Sequence, residues 1–158
     1  MAFNQNQLGS KSSYGYAGMN SGDWNGTNNF SFATPPGGFK EVAGLSIGFT
    51  LASPSPDFSM STDGRLQYIG INTRVFLCSA ACYANLLSGS VGMVIQIRKN
   101  GTAVTGAEFY SSISSSIIQD YPIPLATNDY ISIFVATASA HTAHVIQANI
   151  AANYVGDS

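Results

Sequence analysis

This sequence predicts an all-β fold, an antiparallel two-sheet jelly-roll sandwich preceded by an extended N-terminal arm, on three observations. From Phe39 onward, apolar residues recur at strand spacing, with no sustained helical period. Turn signals, Asp63-Gly64, Asn100-Gly101 and Asn128-Asp129 among them, separate these runs. Short strands at turn intervals of about 8–12 residues are the pattern of a sandwich or barrel.

Residues 1–38 stand apart from the domain at 39–158. They are rich in Gly, Ser and Asn, broken by single aromatics: Tyr14, Tyr16, Trp24, Phe30 and Phe32. Neither helical nor strand periodicity is visible, and the stretch closes on Pro35-Pro36-Gly37-Gly38. One reading is a disordered tail. The other is an arm that orders when its aromatics enter pockets on a partner, and the aromatics favour it, because disordered segments are depleted of them. Fully extended, such an arm reaches on the order of 125 Å.

Within the domain, residues 45–51 read as a strand stopped by Pro54 and Pro56, and residues 57–61 as a short one. Asp63-Gly64 turns the chain into residues 65–69. Residues 73–85 form a strand long enough to need a bend. Val91, Met93, Ile95 and Ile97 alternate with Gly92, Gln96 and Arg98, a half-buried pattern that Val94 breaks. Asn100-Gly101 is the strongest hairpin signal and leads into residues 102–105, then 107–118 and 121–125. After Asn128-Asp129, residues 130–137 set Ile131, Ile133 and Val135 on one face and Tyr130, Ser132 and Phe134 on the other. Residues 144–155 form the last strand, with Ile146, Ile150 and Tyr154 opposite Val145. One face of each strand packs between the sheets and the other needs a partner. Tyr130, Phe134 and Tyr154 are therefore the expected subunit interface.

Charge usage points the same way. Charged residues are 9% of the chain, against about 25% in an average domain. A surface this poor in charge predicts coverage by neighbouring subunits. The net charge is −2 and no basic cluster exists, which argues against nucleic acid as a partner. No apolar run approaches the roughly 18–20 residues of a membrane span. Residues 1–7 lack the basic and apolar regions of a secretory signal, so synthesis and retention in a cytosol are expected. Cys78 and Cys82 lie in one strand with Cα atoms about 13 Å apart, too far for a disulfide, which needs roughly 4.4–6.8 Å. They are expected to be small buried apolar residues.

Few motifs carry chemistry. Gly44-Leu45-Ser46-Ile47-Gly48 matches the nucleophile-elbow pattern, and acids and His141 or His144 follow in hydrolase order. That motif works only at a strand-to-helix turn above a parallel sheet. Here Phe49-Thr50-Leu51 follows and no βα alternation exists, so no catalytic residue is assigned. His141 and His144 read as polar residues of a loop entering the last strand; only convergence on a symmetry axis would make them metal ligands. Asn25, Asn29 and Asn100 head glycosylation sequons by letter, more in keeping with turn chemistry. Residues 111–116 are Ser-rich and read either as an exposed strand presenting hydroxyls to a glycan or as an edge strand or loop. No metal or cofactor is expected.

Asp63-Gly64-Arg65-Leu66, then Tyr68-x-Gly70, then Arg74-x-Phe76 resemble the corresponding region of the trimeric jelly rolls of the tumour-necrosis-factor and complement-globular-head type. Ile97-Arg98-Lys99-Asn100-Gly101 is similar to the strand and hairpin those proteins carry next. The run from Leu125 to Phe134 resembles their "L-x-x-G-D-x-V-x-L" strand, with Asn128 where Gly is usual; Asn tolerates the same turn. The run from Ala148 to Gly156 resembles their terminal strand. In this form the pattern, spanning about residues 45–156, looks most like versions of the fold in bacteriophage head decorations, head fibres and tail-fibre tips. The resemblance implies a homotrimer and no catalysis. It leads to the expectation of a virion structural protein, a capsid decoration or cement protein made in the host cytoplasm. Its arm would hold it to the major capsid protein or other virion proteins. The alternative is a fibre tip that binds a host surface glycan.

Overall fold

The computed structural model describes residues 13–20, 30–34, 38–42, 49–52, 55–61, 64–86, 92–112, 115–137 and 141–157. Trp24 and Ser46 lie outside these residues. Among them are strands and no helix: β1 (Tyr14–Asn20), β2 (Phe30–Thr34), β3 (Lys40–Glu41), β4 (Thr50–Leu51), β5 (Phe58–Met60) and β6 (Leu66–Tyr68). There follow β7 (Arg74–Leu86), β8 (Met93–Lys99), β9 (Thr102–Ser111), β10 (Ser115–Leu125), β11 (Tyr130–Thr137) and β12 (His141–Asp157). The first sheet runs β10-β7-β12-β1-β4, with β2 also on β12. The second runs β5-β6-β11-β8-β9, with β3 on β11. Every pairing is antiparallel, and the chain crosses repeatedly between sheets, as a jelly roll requires.

The turns follow their sequence signals. Asn100 and Gly101 have φ of 50° and 77°, the double positive φ of the two-residue hairpin that joins β8 to β9. Asn128 adopts φ 72°, so it does take the conformation for which Gly is usual. β5 and β6 pair across the Gly64 turn, where φ is 76°.

Met93, Ile95 and Ile97 of β8 and Ile131, Ile133 and Val135 of β11 are buried, as their alternation predicts. They meet Phe76, Cys78, Ile123 and Ile150 of the first sheet in one core. Towards one end, Phe58, Tyr68, Phe76 and Tyr154 form an aromatic cluster with ring centroids 5.0–6.1 Å apart. That end, here called the base, gathers Ser13, the β6–β7, β8–β9 and β10–β11 connections and Asp157. Both cysteines are free and buried, in line with the spacing argument.

Four local expectations need correction. Residues 107–118 are not one strand: β9 ends at Ser111 and β10 begins at Ser115, and β10 absorbs residues 121–125. The long strand β7 pairs residue after residue, while its neighbours supply the irregularities. Ile146 is an extra residue in β12, and Gln119 and Asp120 together oppose Ser79. Val145 and Ile150 both lie in the core with Tyr154 packed against it, so these residues do not divide between two faces as expected, and Ile146 is buried at the bulge. Finally, His141 and His144 are in β12 opposite Thr34 and Ser31, not in a loop.

The stretch expected as an arm supplies two strands. β1 and β2 lie one after the other along the edge of β12 that β7 leaves open. Among the β1 residues whose burial is described, the inward ones within the strand are Gly15 and Ala17, both nearly without side chain. A Cβ built on Gly15 would stand 2.5 Å from Phe58 Cγ, so only glycine lets β1 approach the aromatic cluster this closely.

Candidate interaction surface

The outward face of β10, β7, β12 and β1 is almost free of charge. Apart from two histidines, these strands contain only Arg74, Asp120 and Asp157 as charged residues. Arg74 and Asp157 stand opposite each other in register at the base end, and Asp120 lies away from them in the field. Around it are small or neutral side chains: Ser79 and Ala81 of β7, and Gln147, Asn149 and Ala151 of β12. Tyr16, 44% exposed, donates its hydroxyl to Asn149 Oδ1 at 3.1 Å.

Asp120 has a positive φ, 51°, at the bulge in β10. Its backbone N–H donates to Ser79 Oγ at 3.1 Å, and Ser79 Oγ lies 3.4 Å from the Asp120 carboxylate. The bulge opens a hollow of about 210 Å³ lined by Tyr16, Ser79, Ile117, Asp120, Asn149 and Ala151. A second hollow of about 170 Å³ lies beside it against Tyr83, Ser115 and Gln147.

The face continues round the edge of the sandwich. β10 ends the first sheet and β9 the second. Between them is a groove of about 460 Å³ lined by Gly106, Glu108, Phe109, Ile117, Ile118 and Tyr121. Phe109, Tyr110 and Ile117 are each about half exposed, at 50%, 58% and 53%. Both edge strands carry bulges, at Gly106 (φ 87°) and Asp120, which blunts open-ended strand pairing without hiding the apolar groups. The arrangement offers knobs on an edge and shallow sockets on a face, with Ile117 belonging to both.

The expected interface residues are elsewhere and are not brought together. Tyr130 and Phe134 face outward from β11 on the opposite sheet, where arginines of the same chain cover them. Arg65 lies 5.0 Å from the Tyr130 ring and grips Glu41 with two hydrogen bonds of 3.0 and 2.8 Å. Arg98 lies 4.1 Å from the Phe134 ring and 5.2 Å from Phe39, and donates to Gln96 Oε1 at 2.7 Å. Gln96 in turn donates to Glu108 at 2.8 Å. Tyr154 packs on Phe76 and lies beneath Arg74, at 4.9 Å. Of the expected anchoring aromatics, Tyr14 and Tyr16 are on β1, Phe30 and Phe32 are on β2, and Trp24 falls outside the described residues.

The acids that follow Ser46 have other partners. Asp57 meets Arg74 at 3.3 Å, and Asp129 meets Lys99 at 2.7 Å. Asn100, within a sequon, spends its side chain on the neighbouring turn, donating to Asp129 at 2.7 Å and accepting from Tyr130 N–H at 3.0 Å. Among the described residues no three His, Cys, Asp or Glu side chains gather as a metal site would need.

The sequence signal for the face was available but quiet. Ser79-Ala-Ala-Cys82 and the alternation of Gln147, Asn149 and Ala151 outward with Ala148, Ile150 and Ala152 inward give strands small on both sides. Apolar patterning, which looks for large residues, passes over them.

No protein-family profile matches the chain. No curated protein matches it in sequence. Solved structures do match in shape. The Eiger tumour necrosis factor from S. frugiperda superposes with a TM-score of 0.55 at 13% identity, covering 92% of this chain and 95% of that one. Murine APRIL, at pH 8.5, superposes with a TM-score of 0.54 at 10% identity, covering 90% of this chain and 100% of that one. These likenesses show the fold, a jelly roll of the tumour-necrosis-factor type.

Proposed function

We propose that this chain is a non-enzymatic structural protein of a virion, a homotrimeric decoration or cement protein on the capsid. The observation that carries the trimer is the continuous, nearly uncharged surface formed by the β10-β7-β12-β1 face and the β9/β10 edge. A second copy placing Phe109, Tyr110 and Ile117 against the hollows around Asn149 and Ala81 would bury apolar edge on small-residue face. Repeated head to tail, such a contact closes into a ring with identical interfaces. Its centre would be depleted of charge, as interface cores are.

The virion assignment rests on the likeness of the "GRLQYIG…TRVF…IRKNGT…LATNDYISIFV" pattern to phage versions of the fold. The economy of charge supports it, because a protein that spends its life packed against others has less need of solubilising groups. A cement acts by making several modest contacts at once, and a trimer multiplies each of them by avidity. In this reading the contact with such a partner falls to residues 1–12, ahead of β1 in the sequence.

Light scattering of the purified full chain tests the assembly, and mass spectrometry of purified particles tests the location. A trimer that co-purifies with particles in stoichiometric amount is expected. A monomer at micromolar concentration would remove the trimer, and absence from particles would remove the virion assignment.

A further inference from the structure

The connection from β6 to β7 points two isoleucines into solvent: Ile71 is 90% exposed and Ile69 48%. Slack loops often carry such residues, but this one is held on all sides. Ile69 N–H donates to Asp57 O at 2.8 Å, Tyr68 Oη to Asn72 O at 2.8 Å, and Thr127 Oγ1 to Gly70 O at 2.6 Å. The strand before it is clamped to the β10–β11 turn, through Tyr68 N–H to Asp129 O and Asn128 N–H to Tyr68 O, both 2.8 Å. Gly70 is boxed in by the Tyr68 ring, so a side chain there would collide with it. The fold therefore fixes an apolar knob in water, where hydrophobicity alone would turn it inward.

The base, which carries this knob, is also where residues 1–12 join the domain, since Ser13 O accepts from Tyr154 N–H at 2.9 Å. The cations at this end have carboxylate partners: Arg74 has Asp57 and Lys99 has Asp129. Such a rim matches a neutral protein surface better than the anionic surface of a membrane or nucleic acid, which would call for unneutralised basic groups.

We infer that the 69–73 loop docks into an apolar pocket on another protein of the particle, so that the trimer stands base-down with three isoleucine knobs in contact. This rests on the virion reading and adds to it an orientation and a contact residue. Rigidity makes the contact effective, because little loop entropy is lost on docking.

The test uses particles assembled without this protein and the purified full chain, with bound protein measured by co-sedimentation over a concentration series. Ile71→Asp is chosen because a side chain so exposed contributes little to folding. Ser112→Asp, exposed at the opposite end, is the control. The expected result is a loss of about tenfold or more for Ile71→Asp, as for a buried contact anchor, with solution mass and melting temperature unchanged. Wild-type-like binding by Ile71→Asp would overturn the docking knob while leaving the virion reading intact. A changed solution mass would assign Ile71 to the contact between subunits and overturn it too. Failure of the unmodified chain to bind would overturn the virion reading itself.

Discussion

Asn100 and Asp129 lie on two different turns and join them: the Asn100 carboxamide donates to the Asp129 carboxylate at 2.7 Å. Asp129 also accepts from Ala126 N–H at 2.8 Å and pairs with Lys99 at 2.7 Å, so one carboxylate closes its own turn and ties it to the β8–β9 hairpin. Burial pushes the Asp129 carboxyl up, but hydrogen bonds from Lys99, Ala126 N–H and Asn100, together with the Lys99 charge, outweigh it and hold the group below its usual 3.8. A depressed folded value means that its stabilisation is present above 3.8 and is lost as pH falls through the lower folded value. Asp129→Asn should therefore cost about 1–2 kcal/mol at pH 7 and narrow the gap to wild type in strong acid. Urea unfolding at pH 7 and at pH 2 checks this; a gap of the same size at both would remove Asp129 from the account.

Ile117→Asp should dissociate the proposed trimer, because it puts a charge where edge and face meet. Phe134→Ser, on the sheet that Arg98 covers, should leave the oligomer intact. Light scattering on both variants decides which face is the interface, and dissociation by Phe134→Ser alone would move it to the second sheet.

Removal of residues 1–12 should leave the melting temperature within a few degrees of wild type. Removal of residues 1–38 strips β1 and β2 from the edge of β12 and uncovers Phe58, so it should destabilise by several kcal/mol or prevent folding. Thermal unfolding followed by circular dichroism separates the two. Equal stability of both truncations would show that β1 is dispensable.

Arg98→Ala should destabilise by about 1 kcal/mol, through the lost stacking on Phe134 and Phe39 and the lost bond to Gln96. Arg98→Lys should recover only part of this, since an ammonium cannot stack as a plane while bonding sideways. The check is a chemical-denaturation series; full recovery by lysine would reduce the site to simple charge.

Burial pushes the thiols of Cys78 and Cys82 up to about 12, so almost none is thiolate at neutral pH. Both should resist alkylation in the native protein and react at once in denaturant. Rapid native labelling, read by mass spectrometry, would mean that the core opens.

Much of the fold was legible where large residues alternate or a turn demands a particular residue. Met93, Ile95 and Ile97, the Asn100-Gly101 hairpin and the Asn128 turn are of this kind. What stayed hidden has physical causes. β1 shows no strand period because its described buried positions are the small Gly15 and Ala17, and Gly15 lies where a side chain would meet Phe58. Tyr130 and Phe134, expected at an interface because they are large and lie opposite a buried face, carry Arg65 and Arg98 of the same chain over their rings. Which aromatics are already covered by arginines distant in sequence is a property of register, and register is not written in any single strand.

Gly15 and Phe58 meet only because β1 pairs with β12, Tyr14 opposite Asn153. The earliest strand to leave the ribosome thus waits for the latest, on the order of ten seconds at ordinary rates of synthesis. Until then the first sheet lacks its middle, and β7 stands with one edge bare. The middle of that sheet therefore forms only once β12 has been made, and in a crowded cell the newborn chain is exposed to pairing with the wrong copy throughout that wait.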